Sequence, residues 1–262
     1  MKDLLCTTDL TQASETALHH ALMLGDRLGA RVSLLHVMGK QDRNPARQEE
    51  VRSAMEKQLI VAGGDRLRLL MPEGDFMEEI VGESGRGHHL LVMGTHGPHG
   101  LRQSLFGADI LKLVRRAAVP SYVVQAESKR DAGLSRIVLP VAGHANIGRL
   151  MDTVCLLAVA FTAEVHVYQL MRPGEQPSDE LLRNKLAMIQ RLQDDGVRHV
   201  EANMPATGFS VGFSGPTIDY AQKIGAGCIA IMSQASDEYR YIADAEKERI
   251  LANEAKIPVL CA

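Results

Sequence analysis

A chain of 262 residues holds one large domain or two ordinary ones, and 45% apolar with 23% charged residues is the balance of a globular protein. A net charge of −3 and a pI near 6.4 exclude the basic footprint of a nucleic-acid binder. Aromatic residues make up only 4%, with no Trp, so the core has to be aliphatic.

In chain order, strand and helix signals alternate. The N-terminal "MKDLLCTTDLTQ" has an acidic residue at position 3 and no long apolar stretch, so no signal peptide is expected. "LLCTT" reads as a short strand. Residues 12–28 carry Ala17, Leu18, Ala21, Leu22 and Leu28, the stripe of a helix facing a sheet. "RVSLLHVM" (31–38) is a strand; 46–62 is a helix with Val51, Met55 and Leu59 on one stripe. "RLRLLM" is a strand ended by Pro72, and 75–85 a short helix resting on Phe76 and Ile80. "HLLVM" is apolar throughout, as buried parallel strands are. Residues 108–117 form a helix and "PSYVV" (120–124) a strand.

The series then repeats. "AEVHVYQLM" (163–171) parallels "ARVSLLHVM" (30–38), with Ala163, Val165 and Met171 on Ala30, Val32 and Met38. "AKIPVLCA" (255–262) falls on "AAVPSYVV" (117–124). Strands are expected at 136–140, 164–170, 197–203, 228–232 and 257–261, and helices at 145–160, 178–193, 215–225 and 239–254. The polar "QAESKRDAGLS" (125–135) joins the halves. Each half is therefore an open α/β sandwich around a five-stranded parallel sheet, with a ligand crevice at the strand C-termini.

Two strand ends flank the first crevice: Thr7-Thr8-Asp9 after strand one, and "VMGTHGPHG" (92–100) after strand four. The glycine-rich stretch runs from Gly94 to Gly107, where a helix begins. Glycines let backbone amides approach a ligand, and a helix N-terminus offers free N–H groups. A plain strand–loop–helix turn is the competing reading of G-x-x-G taken alone. It is not a Walker A motif, because no G-K-[ST] follows.

Both halves resemble the universal stress protein domain, and the whole chain resembles its tandem, two-domain form. The residues that carry the resemblance are Gly94-x2-Gly97-x9-Gly107 after strand four, Asp9 ending strand one, and "LLHV" (34–37) ending strand two. The resemblance implies two domains, 1–126 and 133–262, of the Rossmann-like, adenine nucleotide alpha hydrolase-like class. In that family domains pair through their last strands, which here would make an internal pseudo-dimer; two chains would be free to pair again. It also implies a crevice for ATP or another adenine nucleotide, with magnesium left open as a companion. Thr8, Asp9 and Val37 would hold adenine and ribose. Met93, Gly94, His96, Gly97 and Gly107 would line the phosphates, with Ala108, Asp109 and Ile110 at the helix start. The family's Ser or Thr after the third glycine is Ala108 here. Losing a hydrogen bond to a charged partner costs roughly 1.5–3 kcal/mol. The Asp109 carboxylate competes with phosphate for the helix dipole. Weakened or altered phosphate binding is expected.

In the second half Ala142 replaces the aspartate, Ser233 and Ser236 replace the glycines, and no glycine occurs from 228 to 262. That crevice is expected to be degenerate for ATP, and the loop "MPATGFSVGFSGPT" (204–217), with Phe209 and Phe213, either wraps another ligand or packs on the neighbouring half. His88, His89, His96 and His99 lack the ligand set of a zinc site, so no metal site is assigned. His88 and His89 are expected to start strand four. "EEIVGESGRG" (78–87) and "DAEKER" (244–249) read as solvated helix faces. Cys6, Cys155, Cys228 and Cys261 are spaced too far apart for C-x-x-C and read as reduced small hydrophobes. No apolar run approaches a membrane span, and a cytoplasmic location is expected. No catalytic residue is assigned. The functional expectation is a stress-response protein acting as a nucleotide-binding or signalling module. A slow ATPase, a carrier of an apolar or other small ligand, and a partner-binding protein without nucleotide remain the alternatives.

Overall fold

The alternation of apolar runs and helical stripes folds as it reads. In the computed structural model, which describes residues 3–42, 44–62, 66–95, 107–130, 133–174, 176–206, 212–235 and 242–262, the first half runs β1 (Asp3–Thr7), α1 (Gln12–Leu28), β2 (Arg31–Leu35), α2 (Pro45–Ala62), β3 (Leu67–Leu70), α3 (Phe76–Ser84), β4 (Leu90–Thr95), α4 (Gly107–Arg116) and β5 (Ser121–Gln125). The second half repeats the series as β6 (Arg136–Pro140), α5 (Gly148–Phe161), β7 (Glu164–Met171), α6 (Asp179–Asp194), β8 (His199–Pro205), α7 (Ser214–Lys223), β9 (Cys228–Ile231), α8 (Ala243–Leu251) and β10 (Val259–Cys261).

The strand order is β3-β2-β1-β4-β5-β10-β9-β6-β7-β8. Each half contributes a parallel sheet of order three-two-one-four-five, with its switch point between the first and fourth strands. The halves join edge to edge: Tyr122 stands opposite Leu260 and Val123 opposite Val259, antiparallel. The pairing of last strands expected from the resemblance is present, and it fuses two sheets into one of ten strands with a local two-fold at its centre. Pairing β5 with β10 removes one exposed edge from each half.

Alternation within the strands divides the core into two layers. Leu4 and Cys6 of β1, with Val92 of β4, pack under α1 and α2; Leu5, Leu91 and Met93 face α3 and α4. α1 meets the sheet through Ala13, Ala17 and Ala21, a small-residue stripe at i, i+4 and i+8 that lets the helix backbone come close. It ends at Gly29, whose left-handed φ of 61° lets its N–H reach the Gly25 carbonyl.

Several expectations are corrected. α3 buries Met77 and Ile80, while Phe76 is exposed. α5 starts three residues later than expected. α8 ends at Leu251, where the buried Asn253 side chain takes over, its Nδ2 donating to the carbonyls of Ile250 and Ile257 and its Oδ1 accepting from Ile257 N. The described residues of the 125–135 joint are held by contacts to both halves. Thr16 Oγ1 donates to the Ala126 carbonyl, Ser128 Oγ donates to that of Lys256, and Leu134 is buried.

Candidate functional site

At the first switch point, β1 delivers Thr8 and Asp9 to the C-terminal edge of the sheet. Thr8 is buried. Its hydroxyl donates to Ser14 Oγ at 3.0 Å and accepts from Leu10 N, while its carbonyl meets His36 Nδ1 at 2.9 Å. Asp9 is exposed, and its Oδ1 accepts from both the backbone N–H and the hydroxyl of Thr11, an Asx turn that holds the carboxylate at the mouth. Leu10 takes a φ of 63° to make that turn. Val37 is half-buried against the α3–α4 layer, and Met93 belongs to that layer outright.

Gly94 is explained by packing. A Cβ there would lie 2.4 Å from the Ala13 carbonyl oxygen and 2.8 Å from Ser14 N, so the absence of a side chain is required by the first turn of α1. In the second half the strand register puts Met232 rather than Ser233 at the position matching Gly94, and its side chain packs against the core layer on the α5 side. α4 begins at Gly107, as expected for a helix opening onto the crevice. Asp109 is exposed in its first turn, and the Ile110 side chain is fully buried, leaving only its backbone to the crevice. His96, Gly97 and the side chain of Ala108 lie outside the described residues, as do His99, Phe209 and Ser236. Beside this switch point an open groove of about 770 Å3 runs along the polar face of α2, walled by Leu10 and by exposed charges such as Glu50 and Lys57. Its walls are solvated side chains, so it is a surface furrow rather than a built site.

The second switch point carries a more enclosed hollow of about 410 Å3, formed at the ends of β6, β7 and β9. Tyr168, Leu181, Met188 and Phe213 supply apolar wall. Asn184 donates to the carbonyls of Ala142 and His144 and so holds the segment after β6 in place. Lys185 fixes the Gln169 side chain at 3.0 Å. The segment after β9 is clamped by two cations. Lys247 Nζ donates to the carbonyls of Met232 and Gln234, both at 2.7 Å, and Arg115 Nε donates to that of Ser233 at 3.0 Å. Burial lowers the Lys247 pKa to about 8. Two of the acidic residues that follow β9 are engaged: Asp244 pairs with Arg115 across the two halves, and Glu246 accepts from Phe213 N and Ser214 N at the start of α7.

"DAEKER" is thus not wholly a solvated face, because Lys247 is only 4% exposed. The signal was present: Ala243, Lys247, Ile250 and Leu251 fall at i, i+4, i+7 and i+8, which places the lysine on the apolar stripe. "EEIVGESGRG" is corrected likewise, since Ile80 and Ser84 are buried. His88 precedes β4 instead of starting it. It is buried at the opposite end of the sheet, with Nε2 3.2 Å from Glu83 and Nδ1 3.4 Å from Asp3. All four cysteines are free and buried, and burial pushes Cys228 and Cys261 up to about 12, so these thiols stay protonated.

Among the described residues no helix is long and apolar enough to cross a membrane. A comparison with curated proteins returned no match. Among solved structures, a universal stress protein from Archaeoglobus fulgidus DSM 4304 is 16% identical, with 99% of this chain and 97% of that chain covered at a TM-score of 0.75. A functionally unknown protein from Pseudomonas aeruginosa PAO1 is likewise 16% identical, with 100% and 92% covered at a TM-score of 0.63. These likenesses establish the fold over the full length. Residues 1–125 match the model of the universal stress protein family, and the full-length likeness to solved structures shows the fold of the whole chain.

Proposed function

We propose that the chain is a cytoplasmic stress-response protein of two domains, 1–126 and 133–262, whose first domain binds an adenine nucleotide as a binding or signalling module rather than as an efficient enzyme. The observation that carries this reading is topological. The strand order sets the ends of β1 and β4 side by side, so Asp9 faces the start of a glycine-spaced segment that ends on the N-terminus of α4. A base and ribose would lie near Thr8, Asp9 and Val37, with phosphates toward Gly94, His96, Gly97 and the α4 residues Gly107 to Ile110. Magnesium would enter only with the nucleotide. The buried thiols are consistent with a reducing compartment.

Ala108 in place of a hydroxyl, and Asp109 in the first turn, weaken the phosphate end by roughly 1.5–3 kcal/mol, on the order of 10- to 150-fold in affinity. Calorimetric titration of the full chain with AMP, ADP and ATP, with and without magnesium, tests this. The expected result is binding in the micromolar range or weaker that Asp9→Ala abolishes. Submicromolar ATP binding would contradict the weakened phosphate end, and no heat with any adenine nucleotide would remove the nucleotide reading altogether.

A further inference from the structure

The hollow at the ends of β6, β7 and β9 measures about 410 Å3, within the range of small-molecule sites. Tyr168, Leu181, Met188 and Phe213 supply its apolar wall. Both aromatic residues are fixed from behind. The Tyr168 ring stacks on Tyr220 with centroids 4.9 Å apart. The Tyr220 hydroxyl lies 2.7 Å from His166 Nδ1, and His166 Nε2 lies 3.0 Å from Glu164. Phe213 is held through its backbone N–H, which donates to Glu246. The apolar surface is therefore set in place before any ligand arrives, which lowers the cost of binding.

The polar groups around the hollow are occupied by the protein itself. Lys247 Nζ donates to the carbonyls of Met232 and Gln234, and Arg172 Nη2 lies 3.5 Å from that of Gly212. Arg172, His144 and Ser178 have further partners within the chain. Gln169 accepts from Lys185, and the Thr217 hydroxyl donates to the Phe213 carbonyl. Ser178 caps α6 by accepting from Leu181 N, and Asp179 and Glu180 in the first turn offset the positive end of the helix dipole. No carboxylate lies among the described lining residues, and Ala142 stands where the first half has Asp9. A cation finds no counter-charge on this wall, and an anion finds cations already spent. Burying a charge without a partner is costly, whereas an apolar body gains by leaving water.

We propose that this cavity binds a small uncharged, largely apolar molecule against Tyr168, Leu181, Met188 and Phe213. The site is separate from the nucleotide crevice, and neither depends on the other being occupied.

The test uses the full chain and two fluorescent probes that share one aromatic body, the uncharged N-phenyl-1-naphthylamine and the anionic 8-anilinonaphthalene-1-sulfonate. The neutral probe is expected to saturate at one molecule per chain and to bind at least about tenfold more tightly than the sulfonate, whose charge gains no free partner. Ala142→Phe, which adds bulk inside the cavity, should weaken the neutral probe by about tenfold or more and leave the calorimetric nucleotide titration unchanged. Leu181→Trp narrows the hollow from another wall and takes its place if Ala142→Phe fails to fold by circular dichroism. Arg172→Ala should leave both probes within about twofold, because that guanidinium is already engaged. Sulfonate binding as tight as that of the neutral probe overturns the proposal. So does the lack of saturable binding by the neutral probe, its unchanged binding to a folded cavity-filling variant, or a loss on Arg172→Ala confined to the sulfonate. Displacement of the neutral probe by ATP would put it in the first-half crevice and equally overturn the assignment.

Discussion

Gly94→Ala adds one methyl group to a position where the structure leaves no room. The new Cβ would sit 2.4 Å from the carbonyl oxygen of Ala13, 2.5 Å from its carbon and 2.8 Å from Ser14 N. All three are backbone atoms at the start of α1, so no side-chain rotation relieves the contact. Restoring an ordinary separation moves the first turn of α1 about 1 Å away from β4, opening the seam that Ala13 and Ala17 now close. Overpacking of this kind costs about 1–3 kcal/mol, and a rigid neighbour puts the figure toward the upper end. Roughly 2–3 kcal/mol lowers Tm by about 5–10 °C in a chain of this size. The same substitution at Gly82 supplies the control. Gly82 lies inside α3 with nothing within 4 Å of an added Cβ, so Gly82→Ala should stabilise by about 0.5–1 kcal/mol. Denaturant titration followed by far-UV circular dichroism reads both variants. If Gly94→Ala costs less than about 0.5 kcal/mol, α1 does not lie against β4 as described, and the glycine has to be explained by the crevice alone.

His20 is 1% exposed beside Tyr122, and desolvation, followed by the neighbouring His19, lowers its pKa from 6.5 to about 4. Between those values the unfolded chain binds the proton that the folded chain refuses. This contribution is therefore intact above pH 6.5 and lost as pH falls toward 4, by about 3 kcal/mol in all. His20→Leu should flatten that part of the stability–pH curve measured by denaturation from pH 7 to 4, and an unchanged acid slope would show that His20 is not the group responsible. Across the joint, Arg115 bonds both the Ser233 carbonyl and the largely exposed Asp244 carboxylate. Arg115→Ala is expected to cost about 1–2 kcal/mol and Asp244→Ala less than about 1. A double-mutant cycle should assign the ion pair under about 1 kcal/mol, because solvent screens it; a coupling of several kcal/mol would mean that this pair holds the halves together.

Much of the architecture was legible beforehand. The alternation of apolar runs with 3.6-residue stripes located the described strands and α-helices to within a few residues, though not the short 3-10 helix at Lys40–Asp42, and the family resemblance pointed to "PSYVV" and "IPVLC" as the strands that join the halves. Expectations slipped where a helix end is set by something distant. α8 stops short of residue 254 because Asn253 bonds the chain around it, and α3 rests on Met77 rather than Phe76 because the sheet lies on that side. At the candidate sites the split is sharper. Asp9 and the start of α4 come to the same edge of the sheet, as the spacing of motifs implied, yet the need for glycine at 94 arises from α1, some eighty residues earlier in the chain.

By itself, then, the sequence determined the order of elements, the repeat and the two strand ends that matter, because hydrophobic periodicity and turn chemistry act over a few neighbouring residues. Tertiary structure alone decided the register in which β5 and β10 join the two sheets, that Lys247 clamps the segment after β9, and that the half lacking the nucleotide motif holds the better-enclosed cavity. Each of these depends on side chains brought together by strand order rather than by proximity along the chain: Arg115 with Asp244, Phe213 with Glu246, Tyr122 with Leu260.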